Sequence, residues 1–271
     1  MFDCIDRIDL NAPWLGYLAT VIEPLLHAQD WRAALDARAE GLRNHRGLPL
    51  RFVAQADLPP DMAYEAFISD TGRVPTRDNL HDFFNAAIWL AHPQIKQTLN
   101  AVQSRELAQQ VGQIRGKVRD GVTLFDESAA LFACSDERLA DALRGHCWTE
   151  LFVERREAFG TACKVFLFGH ALLEKLTAPY KAITAHAWVV MVEPAFFALG
   201  EREQRAYLDV RLAQELKDGL VTADFTPLPV LGVPGWAEGQ DEAYYRDQAV
   251  FRPGRKFSSN AVSEKSGEAQ Q

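Results

Sequence analysis

Apolar residues recur at helical spacing through much of the first half of the chain. The i, i+3, i+4 pattern predicts helices within 12–41, at 79–91 and at 93–111. Pro24 should bend the first of these helices, because proline lacks the N–H that the preceding turn needs. Pro93 should end the second helix and open the third, since proline fits the first helical position. This part of the chain is therefore expected to be a group of packed helices.

Short apolar runs between polar turns predict strands. We expect a strand at 48–55 and a hairpin in which 119–125 and 129–134 flank the turn Asp126-Glu127-Ser128, whereas 63–69 fits either type. Further along, the order strand, short helix, strand over 163–192 is typical of a β-α-β unit. Further helices are expected at 135–145, capped by Ser135, and at 148–160 and 201–218.

The element pattern indicates an α+β fold in one helix-rich domain, 1–254, with a small mixed sheet. From residue 223 onward, proline and glycine become frequent, which predicts an extended C-terminal arm over the surface. Residues 255–271 have the composition of a flexible tail. The sequence contains no internal repeat that would suggest a different organisation.

Composition narrows the classes of partner. The 271 residues carry a net charge of −8, and an acidic chain makes nucleic-acid binding unlikely because phosphates require a basic face. No apolar run reaches the roughly 18 residues of a membrane span, and the N-terminus lacks the basic and apolar regions of a signal peptide. Four scattered cysteines without a CxxC pair favour reduced thiols. We therefore expect a cytoplasmic protein without a membrane partner.

Four stretches together resemble a known family. They are VPTRDNLHDFFNA (74–86), RDGVTLFDESAAL (119–131), FGHALLEKLTAPYKAITAH (168–186) and PLPVLGVPGW with VFRPG (227–236, 250–254). On these motifs the chain is similar to the bacterial DUF3025 family, a domain of unknown function. The resemblance implies a single domain over nearly the whole chain, and it implies no activity.

The first of these motifs contains a helix with two kinds of polar residue. On a helical wheel of 79–91, an apolar stripe faces the core, and His81 and Asn85 lie together at its edge. Asp82 and Trp89 lie nearly opposite the stripe, so we expect the C-terminal arm or a partner to cover them. Thr76 or Asp78 is the expected N-cap. His81 is either part of a site or a residue that bonds a loop carbonyl.

Two other motifs carry chemical candidates. Asp126 and Glu127 are adjacent at a predicted strand end, where they would point to opposite faces; either Asp126 caps its own turn or one carboxylate serves as a base or metal ligand. His170 follows an apolar strand and Gly169, a position where free backbone N–H groups favour an anion. Glu174 lies four residues later and could pair with His170.

These residues favour an enzyme. The predicted centre performs acid–base or metal-assisted hydrolysis of a small anionic ligand, and it combines six residues, His81, Asn85, Asp126, Glu127, His170 and His186. Five further residues are expected to bind the substrate, Arg77, Lys175, Tyr180, Lys181 and Trp236, the last as a lid or simply as an anchor of the arm. The alternative is a non-catalytic scaffold that uses Trp89 and the C-terminal arm as a partner surface. No sequence motif specifies a metal, a cofactor or an oligomeric state.

Overall fold

The computed structural model describes residues 4–109 and 116–254. Its α-helices are α1 (Ala19–Leu26), α2 (Trp31–Arg38), α3 (Tyr64–Thr71), α4 (Leu80–Ala91), α5 (Pro93–Gln109), α6 (Lys117–Ser128), α7 (Glu137–Arg144), α8 (His170–Lys175), α9 (Glu201–Glu215) and α10 (Glu242–Tyr245). Its strands are β1 (Arg51–Ala54), β2 (Arg73–Thr76), β3 (Ala129–Cys134), β4 (Cys163–Leu167), β5 (Thr184–Met191) and β6 (Thr226–Pro229). The expected helix-rich α+β fold with a small mixed sheet is confirmed.

The main sheet has four strands in the order β4-β3-β5-β6. The central strand β3 is antiparallel to β4 and parallel to β5, and β5 is antiparallel to β6. Every residue of β3 is buried, which fits its continuous apolar run because both faces of the sheet are covered. A separate pair of parallel strands, β1 and β2, lies near the start of α4.

The predicted hairpin at 119–134 is wrong. Residues 119–125 belong to α6, because Val118, Val122 and Phe125 recur at helical spacing and two of them, Val122 and Phe125, are fully buried. Strand β3 then follows α6 without a turn and pairs with β4, more than 25 residues later. The β4-α8-β5 segment is also not a β-α-β unit, since its two strands run in opposite directions on either side of β3.

Other expectations differ in their details. The N-cap of α7 is Asp136 rather than Ser135, and its carboxylate accepts the backbone N–H of Arg138. The helix expected at 148–160 is present but irregular: residues 148–149 are α-helical, a π-helical turn follows at Glu150–Glu154, and a 3₁₀ turn at Arg156–Ala158 ends it. The ambiguous segment 63–69 is helical and forms most of α3.

Helix α4 forms where the sequence predicts it, but its polar face is not exposed. Asn79, not Thr76 or Asp78, is the N-cap and accepts the N–H of Asp82 at 2.8 Å. Asp82 and Trp89 are both buried, at 6% and 1% exposure. Residues of α3, α5 and α6 close over Trp89, so neither the arm nor a partner covers it. The predicted partner surface that included Trp89 is therefore wrong.

Helix α5 begins at Pro93, as predicted, and its first turn is capped from another helix. The buried carboxylate of Asp209 in α9 accepts the backbone N–H groups of Gln94 and Ile95, at 3.1 and 2.9 Å. Proline leaves no N–H at the first position, so these two bonds satisfy donors that would otherwise be unpaired. This contact fixes α9 against the start of α5, so the two helices pack as one layer.

The C-terminal segment is folded against the core rather than simply extended. Tyr245 and Phe251 are buried, and the ring of Phe251 lies close to Gly232, where a side chain would collide with it and with Phe152. Trp236 is half-buried. The predicted flexible tail, 255–271, lies outside the described residues. Among the helices in the described ranges, none is both long enough and apolar enough to span a membrane.

Candidate functional site

His81 lies in the first turn of α4 and points away from the core. The turn is fixed by its Asn79 cap and by Asp82, whose carboxylate accepts the backbone N–H of Arg77 at 2.6 Å and pairs with the Arg77 guanidinium. These bonds hold the start of the helix in one place. As a result the imidazole of His81 has a defined direction while its side chain stays 31% exposed.

His170 is placed by a close approach of α8 to the end of α6. Strand β4 ends at Leu167, and the N–H of Gly169 then bonds the carbonyl of Ala129 at 2.9 Å. A Cβ at Gly169 would lie 2.4–2.5 Å from the backbone of Glu127 and Ser128, so glycine is required there. This approach puts His170, the next residue, directly beside the carboxylates at the end of α6.

Asp126 and Glu127 are in the last turn of α6, not at a strand end. Adjacent helical residues are about 100° apart around the axis, so both carboxylates can approach one side chain from different directions. Glu127 Oε2 lies 3.5 Å from His170 Nε2, and Asp126 Oδ2 lies 3.8 Å from His170 Nδ1. The expectation that the two carboxylates face opposite sides is therefore wrong.

Three potential metal-ligand atoms, from His81, Glu127 and His170, converge near the surface. The Nε2 atoms of His81 and His170 are 3.1 Å apart, with the rings nearly perpendicular at 76°. The carboxylate of Glu127 completes a group whose ligand atoms all lie within 4.8 Å of one another. We call His81, Glu127 and His170 the ligand triad.

Carboxylates flank the outer nitrogens of both histidines. Glu174 Oε2 lies 3.0 Å from His81 Nδ1, and a carboxylate can only accept, so this nitrogen carries the proton. The lone pair of a neutral His81 is then on Nε2, facing His170. Asp126 likewise favours a proton on His170 Nδ1, a buried nitrogen without a hydrogen-bond partner. The two Nε2 atoms, which face each other, are then the nitrogens that can donate an electron pair.

The carboxylate of Asp126 is held by a buried lysine. Lys96 Nζ lies 2.6 and 2.8 Å from the two oxygens of Asp126 and donates to Asn85 Oδ1 at 2.8 Å. Asn85 in turn donates to the Tyr64 hydroxyl at 3.0 Å. The Lys96 side chain is only 5% exposed and its ammonium also lies over the Trp89 ring at 5.3 Å. This buried network stands behind the ligand triad.

Burial and the lysine set the protonation states. Burial would raise the pKa of Asp126, but the Lys96 ammonium and the neighbouring His170 and His81 together outweigh it, so the pKa of Asp126 is lowered. Burial lowers the pKa of His170 to about 4, which keeps this imidazole neutral at physiological pH. Burial and the Asp126 charge raise the pKa of Glu127. A divalent cation would offset that repulsion between the two carboxylates.

The triad fits the distances of a first-row metal ion. Two nitrogens bound at about 2.0–2.1 Å in tetrahedral geometry are roughly 3.3 Å apart, close to the separation of the two Nε2 atoms. Two histidines and one carboxylate with carboxylates behind them are typical ligands of zinc and related ions. A calcium or magnesium site would instead be dominated by oxygen ligands.

The other residues expected at the site have different positions. Arg77 pairs with Asp82, and Lys181 bonds Asp247 and the carbonyl of Tyr244, so both have partners outside the triad. Lys175 and Tyr180 are exposed. His186 lies on β5 against the ring of Phe225, and none of these residues contacts the triad. The expected His170–Glu174 pair is also wrong, because Glu174 bonds His81.

Sequence reasoning missed Lys96, which is at the fourth position of α5. The available signal was its placement on an apolar face, next to Ile95 and three residues before Leu99, since a lysine in such a position needs a buried partner. Asn85 was expected to act beside His81, but its amide faces Lys96 and Tyr64 instead.

Comparison with known proteins gives a family. The family model described as a protein of unknown function, DUF3025, matches residues 50–255, which is most of the chain. The chain belongs to the DUF3025 family. The matched part of this DUF3025 protein includes every residue of the ligand triad and its flanking carboxylates, whereas α1 and α2 precede it. No curated protein and no solved structure matches the chain.

Glu174 allows a first prediction for this DUF3025 domain. Glu174→Gln should weaken Zn²⁺ affinity by about 10- to 100-fold, the usual effect of removing a carboxylate behind a metal-bound histidine. The amide can offer its NH₂ to Nδ1, which moves the imidazole proton to Nε2 and blocks that ligand. Competition titration against a chromophoric chelator measures the change, and the matched control is Glu215→Gln on α9. Equal affinities for both variants would refute the role of Glu174.

Proposed function

We propose that this protein is a metal-dependent hydrolase whose single divalent ion is bound by His81, Glu127 and His170. The observation that carries the proposal is the convergence of three electron-pair donors, with a carboxylate facing the outer nitrogen of each histidine. Donors of this kind repel one another at short range unless a cation or a proton lies between them. The metal is the occupant that uses all three.

Three protein ligands leave a position for substrate. Catalytic zinc sites commonly have three protein ligands and one open position, whereas structural sites have four. The side chains of His81 and Glu127 are 31% and 37% exposed, so a small molecule can approach the triad from solvent. His170, at 5% exposure, is on the closed side. This asymmetry is expected of a catalytic site and not of a structural one.

Charge favours a strongly polar substrate. Two neutral imidazoles and one carboxylate give the ligand triad a charge of −1, and Glu174, Asp126 and Lys96 together add a further −1, so a divalent ion would leave the whole cluster near neutral. A bound ion would act as a Lewis acid on a carbonyl or phosphoryl oxygen. In hydrolysis the oxygen of water bonds to the carbonyl carbon or phosphorus, the bond to the leaving group breaks, and a water proton goes to the leaving group. The chain's own residues hold the centre rigid for this step.

Rigidity is the contribution of the buried network. Lys96 fixes the Asp126 carboxylate, whose charge lies 3.8 Å from His170 Nδ1 and favours the tautomer with the proton on that nitrogen. Groups that are already fixed in place cost less reorganisation free energy during a reaction than mobile groups do. Lys96, Asn85 and Asp126 are therefore positioning residues, since none of them belongs to the ligand triad.

The test is metal-dependent turnover. The chelator-treated full chain is screened against ester, amide and phosphoester substrates, each with and without added Zn²⁺, Mn²⁺ or Fe²⁺. We expect hydrolysis of at least one class, its loss on chelation, its return with metal, and its absence in His81→Ala. Chelator-insensitive hydrolysis, or hydrolysis retained by His81→Ala, would contradict the proposal. So would a chain that binds none of these ions at micromolar concentration.

A further inference from the structure

Helices α4 and α8 pack along a seam that leads from the ligand triad to a cavity. Phe84 follows His81 by three residues on α4, and Leu173 follows His170 by three on α8, so each pair lies on one helix face. His81 and His170 are in contact, while Phe84 and Leu173 line a cavity of about 350 Å³. Three helical residues rise about 4.5 Å. The cavity wall therefore begins about one turn from the triad.

The walls of this cavity combine apolar and aromatic side chains with charged and polar ones, among them Arg7, Asp9 and Glu238. Trp14 and Trp236 meet edge to face, with ring centroids 6.2 Å apart, and both line the cavity, whereas Phe84 is fully buried and lies behind its surface. Leu173 and Leu176 form the wall on the α8 side. The volume is in the range of small-molecule sites, and edge-to-face aromatic surroundings suit a flat aromatic ring better than a flexible chain.

A polar link connects the cavity wall to the triad. Thr177 lines the cavity, and its hydroxyl donates to the carbonyl of Glu174 at 2.8 Å. Glu174 is also the residue that bonds His81. The triad itself does not line the cavity, so a molecule that uses both places needs an apolar body and a separate polar group.

We propose that this cavity binds the aromatic part of the substrate while its hydrolysable polar group lies at the ligand triad. The inference rests on the proposed hydrolase function and adds a substrate class, which is small aryl esters, amides or phosphoesters. Trp14 and Trp236 are the aromatic contacts, Phe84 and Leu173 form the wall nearest the triad, and Thr177 stands at the polar edge.

The test uses 2-naphthol as the probe and the metal-free full chain as the protein. Isothermal titration should show one saturable site. Trp236→Ala should weaken binding about tenfold or more, as expected for loss of an aromatic anchor, and Thr177→Trp should do the same by filling the cavity. Val210→Ala, an apolar truncation at an exposed position of α9, is the control and should bind as wild type does. Thermal melting verifies that each variant is folded.

Several outcomes separate this inference from the proposed function. His170→Ala should keep 2-naphthol binding within about twofold, because His170 does not line the cavity. Retained naphthol binding without any metal binding would refute the hydrolase and leave an aromatic site. The cavity assignment is refuted by absent saturation, by wild-type affinity in both cavity variants, or by tighter binding of 1-octanol than of 2-naphthol.

Discussion

Replacing His170 with alanine is expected to reduce the affinity for Zn²⁺ by about 100- to 1,000-fold. Structural sites with four ligands bind Zn²⁺ with roughly 10–16 kcal/mol, so one ligand contributes about a quarter of that, and each 1.4 kcal/mol is tenfold. His170 is the buried member of the triad, and its Nε2 lies 3.5 Å from Glu127 Oε2. Competition titration with a chromophoric chelator measures the loss.

The matched control for this prediction is His186→Ala. His186 is a half-buried histidine of the same sheet region, on β5 against Phe225, and it was expected in the site on sequence grounds. Its removal should leave Zn²⁺ affinity unchanged, whereas His81→Ala should match His170→Ala. Equal losses in His170→Ala and His186→Ala would show unspecific binding and reject the assigned ligands.

Lys96→Met is expected to lower the free energy of unfolding by about 3–5 kcal/mol, the range for breaking a buried ion pair by removing one partner. Methionine has a similar shape but leaves the carboxylate of Asp126, 18% exposed, without its counter-ion. Asn85 also loses the donor to its side-chain oxygen. Urea denaturation of the metal-free chain measures the change, with Lys175→Met, an exposed lysine of α8, as the control.

A double variant separates the pair from simple loss of packing. Lys96→Met with Asp126→Leu removes both charges, so it should be more stable than Lys96→Met alone, because no uncompensated charge stays buried. Its Zn²⁺ affinity should still be reduced, since His170 loses the carboxylate at Nδ1. Strictly additive costs would show that Lys96 and Asp126 are not coupled. Wild-type metal affinity in the double variant would show that Asp126 does not position His170.

The residues of the ligand triad were easier to predict from the sequence than the contacts between them. His81, Glu127 and His170 were all expected in one centre. Polar residues at the edges of apolar segments are partly buried, so they are candidates for a site. Their pairing depends on the packing of α4 against α8, and helical periodicity cannot specify which helix is the neighbour. For that reason Glu174 was expected on His170 within its own helix, whereas it bonds His81 across the seam.

The errors in secondary structure have a related cause. Residues 119–125 include the β-branched Val122 and Thr123, which favour a strand, and Gly121, which disfavours a helix interior. Burial of Val122 and Phe125 at helical spacing decides otherwise, and Gly121 is used instead for a close approach to the backbone of Leu220. The wrong orientation predicted for Asp126 and Glu127 has the same cause. Adjacent side chains point to opposite faces at a strand end, whereas in a helix they are about 100° apart.

Trp89 shows the limit of a helical wheel most clearly. The wheel correctly separates the apolar stripe of α4 from its opposite side, but it contains no information about what packs on either side. Trp89 faces a second buried layer, where the Lys96 ammonium lies over its ring. Residues of α3, α5 and α6 supply that second layer, and two of these helices, α3 and α6, do not directly adjoin α4 along the chain.

The central claim is that His81, Glu127 and His170 bind one divalent ion, and X-ray absorption at the zinc edge tests it most directly. The wild-type chain is loaded with one equivalent of Zn²⁺, with the His81→Ala/His170→Ala variant measured in parallel. We expect two imidazole nitrogens at about 2.0–2.1 Å and a carboxylate oxygen at about 2.0–2.2 Å in the wild type, and loss of the imidazole signal in the variant. A wild-type spectrum without imidazole scattering, or one that the variant reproduces, would contradict the claim.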